Sequence, residues 1–376
     1  MDFATLAANI DSLVEQWMPE RAARMQRRAL DPIDFKALAE AGFTLTGVPS
    51  DHGGLWQGAA HSAKPMASLL RKLATVDPSL SLVSAMHPTI LLFWVLETEG
   101  EPPAGWLDQQ AMVFEAAGDG HWFGTVASEP GIGGDLMATK ATATPQPDGS
   151  WRMSGDKFMG SGSGVTSFML TVAVPEGEEL PDGFLLDTRG ITWDGQQGLT
   201  MTREWDGLGM AATQSHAFRF DDVAVARHGL QGGMIRHFPD LAPIVGFAFC
   251  GVIMGILDAA RLEARRMLAP KAERLSAFEQ TRWAEAENLL WLADQAFEAA
   301  AASMGTSRAG ADSLHGKTAL ANLAEQILDK LAQALGGVSL SRSSPFGQWM
   351  QDVRALGHLR PPRALSHTRI IEGLTE

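Results

Sequence analysis

The sequence predicts a multi-domain α+β chain: an N-terminal helical bundle, a small central β-barrel or sandwich, and a C-terminal helical bundle. Three observations predict this order. Apolar residues recur at helical spacing through about residues 1–121. Short alternating or wholly apolar runs, broken by Pro, Gly and Asp clusters, fill about 122–230. Long helical patterns return over 231–376.

In the first part, Phe3, Leu6, Ile10, Leu13, Val14 and Trp17 form one stripe of an opening helix. Asp31-Pro32 supplies an N-cap and a first-turn proline for a helix that Gly42 can end, and Asp77-Pro78 repeats the start signal. In the second part, 137–144 and Trp151-Arg-Met153 read as a hairpin around Pro145-Gln-Pro-Asp-Gly149. Further strands are expected at Phe168–Val174, Gly183–Leu186 and His216–Phe220. In the third part, Leu320, Leu323, Ala324, Ile327, Leu331 and Leu335 keep helical spacing until Gly336-Gly337 stops the run.

The 376 residues, 45% of them hydrophobic, are ample for a large buried core. A net charge of −14 without a basic run opposes attraction to nucleic acid or anionic lipid, so neither partner is expected. The lone Cys250 offers no intrachain disulfide and no Cys-based metal site, and no His-Glu-x-x-His spacing occurs among the ten histidines. The acidic, amphipathic N-terminus differs from a secretory signal, which leads to an expectation of a cytoplasmic protein. The uncharged stretch Leu241–Leu257 contains Pro243 and three glycines and reads as a buried bundle helix rather than a membrane span. Gly207-Leu-Gly-Met-Ala-Ala212 matches a dinucleotide fingerprint by letters, but it opens no helix that could hold a phosphate.

The most informative residues are two polar, glycine-rich segments, Ser128-Glu-Pro-Gly-Ile-Gly-Gly-Asp135 and Ser154-Gly-Asp-Lys-Phe-Met-Gly-Ser161. Four other motifs stand in order around them. Ala41-Gly-Phe…Val48-Pro-Ser-Asp-His-Gly-Gly54 and Val76-Asp-Pro-Ser-Leu80 precede them; Leu208-Gly209…Phe220-Asp-Asp-Val-Ala-Val225 follows, and Gln333-Ala-Leu-Gly-Gly337 with Pro345…Gln351-Asp352 ends the series. Together these resemble the acyl-CoA dehydrogenase superfamily over nearly the whole chain.

The resemblance implies a flavin cofactor, FAD, with FMN or reduced flavin supplied by a reductase as the alternative. It places Ser128, Gly133, Met159 and Ser161 against the flavin ring, where hydroxyl and N–H groups meet developing charge. Gly160-Ser-Gly-Ser-Gly164 would let the backbone approach a flat ring closely. It gives Glu129 and Pro130 the shaping of the turn. It assigns Arg265, or equally Arg266, to the pyrophosphate, and Gln333, Gly336 and Gly337 to the adenine half held by a neighbouring chain. A homodimer or homotetramer is therefore expected, with a reductase or electron-transfer flavoprotein as redox partner.

The sequence departs from the pattern where the family's catalytic Glu stands. Eight residues after Asp352 comes Arg360, and Glu372-Gly-Leu374 lies too late to replace the base. Gly134 also occupies the place of a Ser that meets the CoA-bearing substrate. These losses weigh against ordinary desaturation of an acyl thioester. They suit the superfamily's two-component flavin monooxygenases or oxidases, with His358 and His367 near the lost base and His87 on the substrate side as proton-transfer candidates. A catalytically silent binding or scaffold subunit is the remaining alternative. Either active reading implies a small-molecule substrate.

Overall fold

The computed structural model describes residues 1–98, 100–359 and 361–372. The N-terminal helices are α1 (Phe3–Trp17), α2 (Arg21–Arg24), α3 (Pro32–Ala41), α4 (Ala59–Ala74), α5 (Pro78–Leu91) and α6 (Trp106–Gly118). Their starts follow the local chemistry that the sequence announces. Asp31 accepts from Ile33 N–H with Pro32 in the first turn, and Gly42 closes α3 at φ 98°, a left-handed conformation that suits glycine. Asp77 accepts from Leu80 N–H at the head of α5, which is buried along its whole length.

Seven strands follow: β1 (Phe123–Thr125), β2 (Thr142–Pro145), β3 (Trp151–Gly160), β4 (Phe168–Pro175), β5 (Asp182–Asp187), β6 (Leu199–Arg203) and β7 (His216–Arg227). The pairings β4–β2–β3–β7–β5 return to β4 and close a small barrel, with β1 added to β4 and β6 to β7. Inside the ring, Met153, Met169, Phe184, Phe218, Phe220 and Val223 make a core of their own. The predicted hairpin is present, with Thr142 opposite Ser154 and Pro145 opposite Trp151. Its first strand starts at Thr142 rather than residue 137, because Thr139 and the Lys140 N–H are drawn to the Glu129 carboxylate instead of a ladder.

The C-terminal helices are α7 (Gly233–Leu268), α8 (Ala277–Ser303), α9 (Ala309–Leu335), α10 (Phe346–Gly357) and α11 (Arg363–Glu372). α7 is long and apolar enough to cross a membrane, yet 83% of its most apolar window is buried inside the protein, packed on α4, α5 and α9. Cys250 lies in that buried stretch, and burial pushes its thiol up to about 12, so it carries no thiolate chemistry. The large helical core joins both bundles through α4, α5, α7 and α9.

Candidate active site

The first glycine-rich segment follows β1, and the second runs along β3 to the turn after it. Ser128 and Phe158 form an antiparallel bridge, with Phe158 N–H donating to Ser128 C=O at 3.0 Å, so the first loop is tied to the strand that leads into the second. Beneath that bridge, the Lys157 ammonium is fully buried and donates to the Glu129 carboxylate and to Val172 C=O. Glu129 also accepts from Thr139 Oγ1 and from Lys140 N–H at 2.7 Å. Burial disfavours its charge, but these donors outweigh burial and hold the carboxyl below the usual range. Glu129 thus builds the turn, in keeping with the role the sequence suggests for it.

β3 slips register on β7 between Lys157 and Gly160, and there Met159 takes φ 63°, a left-handed conformation costly for a residue with a Cβ. The slip turns the chain so that Met159 and Ser161 face a cavity. Ser161 Oγ lies 2.7 Å from Ser215 Oγ, which lies 2.7 Å from Thr213 Oγ1. Thr213 in turn donates to Met210 C=O at 2.9 Å. Met210 is itself left-handed (φ 52°), with its N–H donated to Asp352 of α10 at 2.6 Å. Burial pushes the Asp352 carboxyl up to about 7.

The cavity holds about 450 Å³, within the range of small-molecule and cofactor sites. Ser128, Gly133, Met159 and Ser161 line its barrel side; α5 and the turn after it supply Met86, Ile90 and Phe93, and α7 supplies Met234, Phe238 and Phe249. His358, which ends α10, and Leu359 complete the wall. An apolar antechamber of about 310 Å³ shares Leu136, Phe238, Val245 and Pro362 with it and continues to Pro239 and Arg369. The turn bearing His358 is fixed from behind: Lys317 of α9, buried to 1% exposure, donates to Leu359 C=O and Pro361 C=O. Burial pushes that ammonium down to about 8.

Seven of the residues singled out from the sequence therefore meet at one cavity: Ser128, Glu129, Gly133, Gly134, Met159, Ser161 and His358. The others lie elsewhere. His87 is fully buried, lies beside Thr44 C=O at 2.9 Å and accepts from Phe123 N–H at 3.0 Å. Burial pushes it down to about 4, so it is a neutral pin between α5 and β1; this corrects the expectation that it faces a substrate. Arg265 is exposed on α7, Arg266 pairs with Glu263, and exposed Gln333 donates to Asp329 beside exposed Gly336 and Gly337. None of these five lines the cavity. His367 is exposed on α11 and also away from it. Arg360 lies outside the described residues.

Sequence reasoning missed the Thr213–Ser215 chain, whose signal was the alternation of hydroxyl residues just before β7, and Lys317, whose signal was a lone cation inside an apolar helical stripe. It set aside Gly207–Ala212 rightly: the segment lies between β6 and β7 and starts no helix.

Known proteins are similar to this chain in sequence and fold. Residues 124–223 fit the family model described as acyl-CoA dehydrogenase, middle domain. The amino sugar nitrososynthase DnmZ of Streptomyces peucetius is 27% identical, over 93% of this chain and 88% of that protein. Residues 124–223 thus carry an acyl-CoA dehydrogenase middle domain, and the chain is similar to acyl-CoA dehydrogenases and their flavin-enzyme relatives over nearly its whole length. Solved structures share its fold from end to end. Butyryl-CoA dehydrogenase from Megasphaera elsdenii superposes with a TM-score of 0.84 at 16% identity, covering 100% of this chain and 98% of that one. The dibenzothiophene monooxygenase TdsC from Paenibacillus sp. A11-2, in its FMN-bound form, gives 0.80 at 19% identity, covering 96% and 95%.

Proposed function

We propose that the chain is a flavin-dependent oxidoreductase acting on a small molecule, with the flavin ring seated in the cavity between the Ser128 and Ser161 loops. The observation that carries the reading is that these two loops, far apart in the chain, are bridged and face one cavity of cofactor size. The residues present fit the group: two hydroxyls and a glycine-rich turn on one side, broad apolar side chains on the other. TdsC, of the same fold, is FMN-bound in its crystal. When bound, a flavin supplies the exchange of electrons with substrate or O₂. The protein's residues bind and orient it, and Met86, Phe93, Phe238 and Phe249 keep water away.

Within that class, the lining favours the monooxygenase or oxidase branch over desaturation of a thioester. Among the described lining residues Glu129 is the only carboxylate, and Lys157 already holds it. A dehydrogenase needs a free base for the α-proton. His358, exposed at the cavity, is the group offered for moving a proton there. Arg265, Gln333, Gly336 and Gly337 would serve the far half of FAD only across subunits, which makes a homo-oligomer part of the FAD version; FMN needs none of them.

The test begins with titration of the purified protein with FMN and FAD, followed by absorbance and fluorescence. Binding of neither overturns the reading. If flavin binds, anaerobic bleaching by acyl-CoAs would reverse the branch assignment. Oxygen-dependent turnover with a flavin reductase supports it.

A further inference from the structure

Resting on the flavin reading above, we infer that Thr213 and Ser215 are positioning residues that lock the Ser161 hydroxyl as a hydrogen-bond acceptor toward the cavity, so that the site selects the reduced ring. The direction of the chain of hydroxyls follows from its far end. Met210 C=O can only accept, so the Thr213 proton must point at it. Thr213 Oγ1 is then the acceptor for Ser215, 2.7 Å away. With its one proton spent, Ser215 accepts from Ser161, also at 2.7 Å. Ser161, 4% exposed and on the cavity wall, is left with lone pairs and no proton to offer. Reversing the chain would set two lone-pair oxygens against each other at Met210.

The far end is itself held. Met210 C=O also accepts from Trp205 Nε1 at 3.0 Å, and Asp352 and Gln348 of α10 fix the Met210 backbone through the Asp352 carboxyl. Turning the hydroxyls over would therefore leave Thr213 Oγ1 facing a fixed carbonyl oxygen 2.9 Å away with no proton between them. An oxidised flavin presents N5 as an acceptor, whereas the reduced ring carries an N–H there. An acceptor-only hydroxyl opposes the first and pairs with the second.

The experiment compares dissociation constants of oxidised and anaerobically reduced FMN for the wild-type protein and for Thr213→Val, Ser215→Ala and Thr213→Ser. Losing one oriented hydrogen bond corresponds to about fivefold to tenfold. Thr213→Val and Ser215→Ala should weaken reduced FMN by that factor relative to oxidised FMN and lower the midpoint potential of the bound flavin, while Thr213→Ser, which keeps the chain, should behave as wild type. Equal weakening of both forms, or no change in either, overturns the inference while leaving the flavin reading standing. A wild-type protein that binds neither form overturns both. If Thr213→Val fails to fold, Ser215→Ala and the Thr213→Ser control still decide between these outcomes.

Discussion

Lys157→Met isolates the device that holds the two loops together. In the native chain the Lys157 ammonium is fully buried and its charge is matched by Glu129, whose side chain is 4% exposed. Methionine keeps the length and the apolar stem but leaves a buried carboxylate with only neutral donors, Thr139 Oγ1 and two backbone N–H groups. Removing one partner of such a pair costs roughly 3–5 kcal/mol. Val172 C=O loses a donor as well, about 1–3 kcal/mol if nothing replaces it. Part of this is recovered when Glu129 takes up a proton, so a net loss of about 3 kcal/mol is expected at pH 7 in urea unfolding. The loss should shrink as pH falls and Glu129 protonates. The double variant Lys157→Met with Glu129→Gln should be more stable than the single one, because the uncompensated charge is gone. Because Glu129 shapes the first loop and Lys157 leads into the second, the single variant should also weaken flavin binding. A loss below about 1 kcal/mol, or a double variant no better than the single, would refute the account of this pair.

Three further outcomes follow from the same geometry. His87 is neutral in the fold down to about pH 4, while the unfolded chain takes up the proton near 6.5, so stability is full above 6.5 and falls as pH drops between those values, by roughly 3 kcal/mol at pH 4; His87→Gln should flatten that limb of the stability curve, and an unchanged slope would exclude the pin. Lys317→Met should speed hydrogen exchange at the Leu359 amide and cost about 1–3 kcal/mol, since two carbonyls lose their donor; unaltered protection would show that the turn is held by something else. His358→Ala, at an exposed helix end, should leave stability within about 0.5 kcal/mol and flavin affinity intact but reduce turnover, and full turnover would remove this histidine from the chemistry.

The order of bundle, barrel and bundle was legible because each part obeys local rules: Asp31, Asp77 and Gly42 punctuate helices where they should, and the alternation from Phe168 onward gives β4. On the barrel side of the cavity, Ser128, Gly133, Met159 and Ser161 were named through the family resemblance of two loops, each of which alone reads as an ordinary turn. The helical side of the cavity was not legible. Met86, Phe93, Phe238 and Phe249 look like any core residues in a sequence, and only the packing of α5 against α7 shows that they face a void. His87 misled for the converse reason: its neighbours in sequence do line the site, but the helix turns its ring toward Thr44 and β1. The start of β2 shifted because the Glu129 carboxylate, 11 residues before Lys140, captured that backbone N–H, a contact that the strand's own alternation does not contain.

Lys317 grips Leu359 and Pro361 through their main-chain oxygens. Such an anchor is blind to which side chains the turn displays. The cavity rim bearing His358, Leu359 and Pro362 can therefore be rewritten without loosening its attachment, whereas an anchor built on side-chain partners would have to be redesigned each time. That separation of foundation from facing makes this short turn a natural place to engineer selectivity.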